Sequence, residues 1–285
     1  MKKTIALLLT VLMLFALAAC GSQNATPAET DAVAETEAEE LAEEVTLYVF
    51  AAASMTETLD EIIELYKAEA PNVTIIPTYD SSGTLKTQIQ EGADCDIFIS
   101  AAQKQMNQLD AAKDVEGGNE EGLDFVLSDT RIDLLENKVV LAVPDDNTAG
   151  IESFEDLATD KLSLLCIGNE DVPVGAYSEE ILTTLGILDT LKAANKLTYG
   201  SNVKEVTTQV KEGTVDAGII YATDAFSADL TVVAQAGSDL CRQVIYPAAV
   251  MKNTQNEQAA RDFLAFLQSD AAMQVFQSVG FAPAP

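Results

Sequence analysis

From residue 45 to the C-terminus, short apolar runs alternate with stretches of helical periodicity, and this alternation limits the fold more than any other feature. Strand-like runs occur at 45–51, 73–77, 96–100, 138–143, 162–167, 216–221 and 243–250. Helical patterns lie between many of them, at 56–70, 85–91, 176–185, 203–212, 257–267 and 271–279. In the first of these, Leu59, Ile62, Ile63 and Tyr66 fall at i, i+3, i+4 and i+7, one apolar face of a helix. Pro71 stops that helix, and Gly92, Gly186, Gly213 and Gly280 close four others. The alternation predicts an α/β fold with mixed, mostly parallel sheets flanked by helices. The stretch of about 240 residues suffices for two lobes. Crossings between them are expected near 138–144 and 243–250. One lobe then comprises 45–137 plus 245–285, and the other 138–244.

The first 44 residues do not fit that pattern. Lys2 and Lys3 precede an apolar run over residues 5–19, shorter than the roughly 20 residues a spanning helix needs. Residues 1–19 are therefore expected to be a signal peptide. Leu17-Ala18-Ala19-Cys20 resembles a bacterial lipobox, which implies lipidation of Cys20 and an anchor in the membrane. Residues 21–44 hold eight acids and no Lys or Arg. Such a stretch cannot bury a core, so 20–44 is expected to be a disordered acidic tether of roughly 25–30 Å mean reach. The Ala/Glu run at 32–44 also permits a frayed helix.

Composition removes several function classes. A net charge of -30 opposes nucleic acid, whose phosphates need a basic face. There is no histidine, so a Ser-His-Asp or Cys-His nucleophile and a histidine-bound metal are excluded. A Ser–Lys pair stays chemically possible but has no local signature. Beyond Cys20 the cysteines are Cys95, Cys166 and Cys241, an odd number that allows at most one disulfide within the chain. Cys166 lies in an apolar run and reads as a buried thiol. Pairing of Cys95 with Cys241 is left open.

What remains is a set of helix starts. Ser54-Met55-Thr56-Glu57 reads as a capping box. Ser81-Ser82-Gly83-Thr84 opens the second helix, Pro173-Val174-Gly175 precedes another, and Asn202-Val203-Lys204-Glu205 opens a third. In α/β sheets such loops gather outside the carboxyl ends of strands. A helix N-terminus offers free N–H groups and about half a positive charge, so it attracts anions. Hydrogen bonds to a charged group contribute about 1.5–3 kcal/mol each. A handful of them reaches the ~8 kcal/mol of micromolar affinity without any lysine. A site of hydroxyl and N–H donors suits bare dianions such as molybdate, tungstate or sulfate. Phosphate keeps a proton near pH 7 and gains from an acceptor.

In combination these segments resemble the molybdate-binding proteins of ABC importers. The resemblance rests on Ala51-Ala52-Ala53-Ser54, Ser81-Ser82-Gly83-Thr84-Leu85 and Gly92-Ala93-Asp94-Cys95-Asp96-Ile97-Phe98-Ile99-Ser100-Ala101. It continues through Asn137-Lys138-Val139-Val140-Leu141, Val172-Pro173-Val174-Gly175-Ala176-Tyr177, Asn202-Val203, Asp216-Ala217-Gly218-Ile219-Ile220-Tyr221, Tyr246-Pro247 and Gly280-Phe281. It implies a two-lobed periplasmic-binding-protein fold of type II with the ligand in the cleft. It implies an anion held by the hydroxyls of Ser54, Ser82 and Tyr221 and by the backbone amides of Val174 and Val203. Two departures stand out: Val174 replaces the usual alanine, and Gly83 stands where some members carry a third serine.

The resemblance further implies a binding protein rather than an enzyme. No cofactor is expected, and no metal other than the molybdenum of the oxyanion. The expected ligand is molybdate or tungstate, with sulfate or another oxyanion as the alternative. The expected partners are an ABC permease, its ATPase and, through the lipid on Cys20, the membrane. The expected protein is a monomer at the outer face of the cell membrane or in the periplasm.

Overall fold

The computed structural model describes residues 43–285. The expected signal peptide, Cys20 and nearly all of the tether lie outside the described residues.

The chain begins with β1 (Val45–Ala52), α1 (Thr56–Glu69), β2 (Val73–Asp80), α2 (Ser82–Gln90), β3 (Ile97–Ile99) and α3 (Gln103–Leu109). Then come β4 (Ile132–Asn137), β5 (Val139–Val143), β6 (Leu165–Gly168), α4 (Pro173–Thr184), α5 (Leu188–Ala193) and β7 (Leu197–Gly200). Next are α6 (Val203–Lys211), β8 (Ala217–Tyr221), α7 (Ala222–Ser227) and β9 (Thr231–Gln235). The chain closes with β10 (Val244–Val250), α8 (Glu257–Phe266), α9 (Asp270–Ser278) and β11 (Ala282–Pro283).

Two mixed sheets result. The first has the order β11-β4-β10-β3-β1-β2, the second β7-β6-β8-β5-β9. Asn137 ends β4 in the first sheet and Val139 starts β5 in the second, so Lys138 alone separates them. The chain returns between β9 and β10. Pairing is parallel where a helix links neighbouring strands, as in β1–β2 and β6–β7. It is antiparallel along β10 and β5, the strands that enter from the other sheet. The antiparallel share is thus larger than strand–helix alternation alone implied.

The core explains the local choices. β5 and β8 are buried along their whole length, as the unbroken apolar runs 139–143 and 217–221 require. α1 buries Leu59, Ile62 and Tyr66, and the Tyr66 ring packs 4.9 Å from Phe263 and 5.0 Å from Phe266 on α8. α4 begins at Pro173, three residues before the sequence pattern placed it. Proline is favoured at the first helical position, where the missing N–H has no helical partner. Gly175 then fits inside the first turn because a Cβ there would lie 2.4 Å from the carbonyl oxygens of Gly168 and Asn169.

Cys95, Cys166 and Cys241 are all free and buried, so Cys95 and Cys241 do not pair. Burial pushes the Cys166 thiol up to about 12 and the Cys95 thiol higher, which keeps both unreactive at neutral pH. Among the described residues no helix is long and apolar enough to cross a membrane.

Candidate functional site

The site is built where strands of both sheets end and helices begin. Between β1 and α1 the chain makes a short 3-10 turn, Ala53–Met55. Because of that turn α1 starts at Thr56 with no side-chain cap, and the expected capping box around Ser54 does not form. The Ser54 hydroxyl instead lies 2.8 Å from the Tyr246 hydroxyl, from β10. After β2, Ser81 caps α2 by accepting Thr84 N–H at 3.1 Å. Ser82, fully buried, accepts Ala101 N–H at 2.9 Å. After β7, Asn202 caps α6 by accepting Glu205 N–H at 3.1 Å. Tyr221 ends β8.

Ser54, Ser82, Val203 and Tyr221 line one small, tightly closed cavity, together with Ala52, Ala53, Asp80, Ser81, Ala101, Val172 and Pro173. Val174 is not part of that wall; it is fully buried in the first turn of α4, next to Pro173. Ser82, Val174 and Val203 all sit in first turns, where a backbone N–H has no carbonyl four residues back in its own helix. Tyr221 is 1% exposed and its hydroxyl has no hydrogen-bond partner among the described residues. Its ring packs edge-on between Tyr177 at 6.4 Å and Tyr246 at 5.8 Å. Burial pushes the Tyr221 hydroxyl well above the ordinary phenol range, so it remains an O–H donor. An unpaired buried hydroxyl costs about 1–3 kcal/mol, which an acceptor in the cavity would relieve.

Charge at the site is unexpected in kind. Among the described residues no Lys or Arg lines the cavity, and one carboxylate does, Asp80. Asp80 Oδ1 accepts Ser81 N–H at 2.7 Å and the Asn202 side-chain amide at 3.2 Å. It therefore ties the first sheet to the start of α6. Two further contacts join the same two sides. Gly83 N–H donates to the Asp171 carbonyl at 3.0 Å. Lys204 Nζ meets both Glu57 oxygens, at 2.7 and 2.9 Å. Lys204 also lies 3.3 Å from Asp224 Oδ1. Asp224 is 1% exposed, and burial pushes its carboxyl up to about 6, with Lys204 holding it lower than burial alone would.

The sequence reading missed Asp80, Ala101, Asp171, Asn137 and the partners of Lys204. Asp80 escaped because β2 runs three residues beyond the apolar stretch that marked it. Asn202 was legible as a cap, but its amide contact with Asp80, 122 residues away, has no local signature. Tyr246 stands in a quoted motif, yet nothing near it in sequence points to Ser54.

Comparison with known proteins places this geometry in a family. Residues 47–282 match the model of the bacterial extracellular solute-binding protein family. A Bacillus subtilis protein, YvgL, provisionally named as an ABC transporter substrate-binding lipoprotein, is 38% identical over 83% of this chain and 86% of its own length. The molybdate-binding protein ModA of Haemophilus influenzae is 35% identical over 82% of this chain and 89% of its own. The solved periplasmic molybdate-binding protein of Azotobacter vinelandii covers 84% of this chain and 100% of its own, with a TM-score of 0.72 at 22% identity, and so shares the fold. A two-sheet α/β architecture, helix starts converging on one small cavity and a match over nearly the whole described region agree: this chain belongs to the bacterial extracellular solute-binding protein family, a family of binding proteins and not of enzymes.

Proposed function

We propose that this protein is an extracytoplasmic lipoprotein that captures molybdate or tungstate between two lobes and delivers it to an ABC permease and its ATPase. The lobes are 45–137 plus 245–285 and 138–244, with the anion at Ser54, Ser82, Tyr221 and the amides of Val174 and Val203. Lipid on Cys20 holds the protein at the membrane. The observation that carries the reading is the Tyr221 hydroxyl, buried and unpartnered in a cavity that Ser54, Ser82 and Val203 also line. The names of the similar proteins, molybdate-binding in one case and an ABC transporter lipoprotein in another, agree with it. Val174 contributes through its backbone, so replacement of alanine by valine leaves the donor in place.

Titration of the protein with molybdate, tungstate, sulfate and phosphate, followed by thermal unfolding, tests the assignment. At 100 times Kd, molybdate or tungstate adds about 2.7 kcal/mol of stability. No shift with either ion defeats the proposal, and an equal shift with sulfate moves it to a broader oxyanion site. The serines give a residue-level check. Ser54→Ala and Ser82→Ala each weaken molybdate binding by about 1.5–3 kcal/mol in calorimetric titration. An unchanged Kd would reduce both hydroxyls to structural contacts.

A further inference from the structure

A hydroxyl donates or accepts according to what else it touches. At both serines of the cavity the surrounding protein biases that choice toward donation. Ser82 Oγ receives Ala101 N–H, a group that can only donate. Its own proton is then left for the cavity.

At Ser54 the same outcome is reached through a relay. Asn137 Oδ1 accepts Lys138 N–H at 2.8 Å, which fixes the orientation of the amide. Its Nδ2 therefore donates to Thr223 Oγ1 at 2.9 Å and to Tyr246 Oη at 3.2 Å. Tyr246 Oη, already an acceptor and fully buried, has a proton to place, and Ser54 Oγ lies 2.8 Å away. A buried donor without an acceptor is costly, so the Tyr246 proton goes to Ser54. Burial also pushes the Tyr246 hydroxyl well above the ordinary phenol range, so the proton stays on the phenol at neutral pH.

We propose that Tyr246, aimed by Asn137, is a positioning and specificity residue: it donates to Ser54, so that Ser54, like Ser82, has one lone pair occupied by the protein and turns its own proton to the bound oxyanion. This rests on the oxyanion reading above. The consequence is selectivity between anions of equal charge. A bare dianion takes every donor. Hydrogen phosphate brings a proton for which each serine has at most one lone pair left, beside its own proton already turned to the anion. Asp80 is the rival source of selectivity, as the one carboxylate on the cavity wall, and its Oδ1 is occupied by Ser81 N–H and Asn202.

Competition titrations of the full chain with sodium molybdate and inorganic phosphate, at a pH where phosphate is the singly protonated dianion, test the relay. Tyr246→Phe keeps the ring and removes the donor. The Kd for molybdate rises about tenfold while that for phosphate stays near its original value, so the preference falls about tenfold. Equal weakening of both ions, the result of a packing role alone, overturns the proposal. Asn137→Asp puts an acceptor where the amide donor was and turns the Tyr246 proton away from Ser54. Its added charge acts on both dianions alike, so the preference again falls; an unchanged preference in this variant also overturns the relay. Binding of molybdate by the unaltered chain with no change in either variant sinks the relay alone. Absence of molybdate binding by the unaltered chain sinks the oxyanion reading and the relay with it.

Discussion

Gly83→Ala weakens molybdate binding by about 2–4 kcal/mol, roughly 30- to 1000-fold, and leaves the melting temperature of the unliganded protein nearly unchanged. A Cβ at residue 83 would sit 2.3 Å from the Asp171 carbonyl oxygen and 2.9 Å from its carbon. Both are backbone atoms, so no rotamer change relieves the clash. Gly83 also donates its N–H to that carbonyl at 3.0 Å, and a displaced chain loses this bond as well. The contact joins the start of α2, beside the first sheet, to the loop before α4, beside the second. In the binding cycle proposed above, the strain therefore falls on closure of the two sides around the cavity and not on either side alone. Gly175→Ala is the informative contrast. Its added Cβ would strike Gly168 and Asn169, in the loop that feeds its own helix, so it lowers the melting temperature with or without anion. Small-angle scattering at saturating molybdate checks the geometry: the Gly83 variant stays more expanded than the parent. Parent-like affinity in that variant would mean that closure does not bring Gly83 against Asp171.

This contact also shows why the serine that the family resemblance implies for some members at the position of Gly83 is not a neutral exchange here. Any side chain at residue 83 meets the same carbonyl.

The fold was legible because its cause is local. Central strands buried on both faces need unbroken apolar runs, and β5 and β8 announce themselves that way. β4, β7 and β9 did not. β4 carries Asp133 and Glu136 within six residues, and β9 is an edge strand with Thr231, Val232 and Gln235 exposed. Their pairing is decided by neighbours far along the chain. The same division separates the parts of the site. The helix starts that carry Ser82 and Val203 were legible from chemistry that spans three or four residues, while the choice of those two residues came from the family resemblance. Ser54 was found for a reason the structure does not support, a capping box, and by resemblance to the family. What orients it, Tyr246, is 192 residues away. The ties that close the rim, Asp80 to Asn202 and Glu57 to Lys204, span 122 and 147 residues. No periodicity carries that information, because a long-range polar contact depends on how two finished sheets meet.

Lys204→Met lowers stability by about 2 kcal/mol at pH 7 and by less than about 1 kcal/mol near pH 4. Asp224 is the reason. Its side chain is fully buried, and Lys204 is within ion-pair distance while its own side chain is 29% exposed. Burial raises the Asp224 carboxyl from 3.8 to about 6, and Lys204 opposes that rise. An acid whose folded pKa is raised favours the folded state fully below its unfolded value. That contribution is lost as pH rises through the folded value, so ionisation of Asp224 opposes folding above about pH 6. From 3.8 to about 6 the loss is about 3 kcal/mol, at ~1.4 kcal/mol per pH unit. Without Lys204 the carboxyl rises further, and its ionisation costs more at neutral pH. Near pH 4 Asp224 is protonated in both proteins, and what separates them is the partly exposed pair with Glu57. The difference between the two unfolding curves must therefore stay nearly constant up to about pH 6 and grow above it. Asp224→Asn removes the charge that needs a partner. In the double variant the part of the Lys204→Met loss that appears between pH 6 and pH 7 disappears, a coupling of about 1–1.5 kcal/mol in a double-mutant cycle. A loss equal at both pH values, or additive effects in the cycle, would show that Lys204 acts through its pair with Glu57 and not through Asp224.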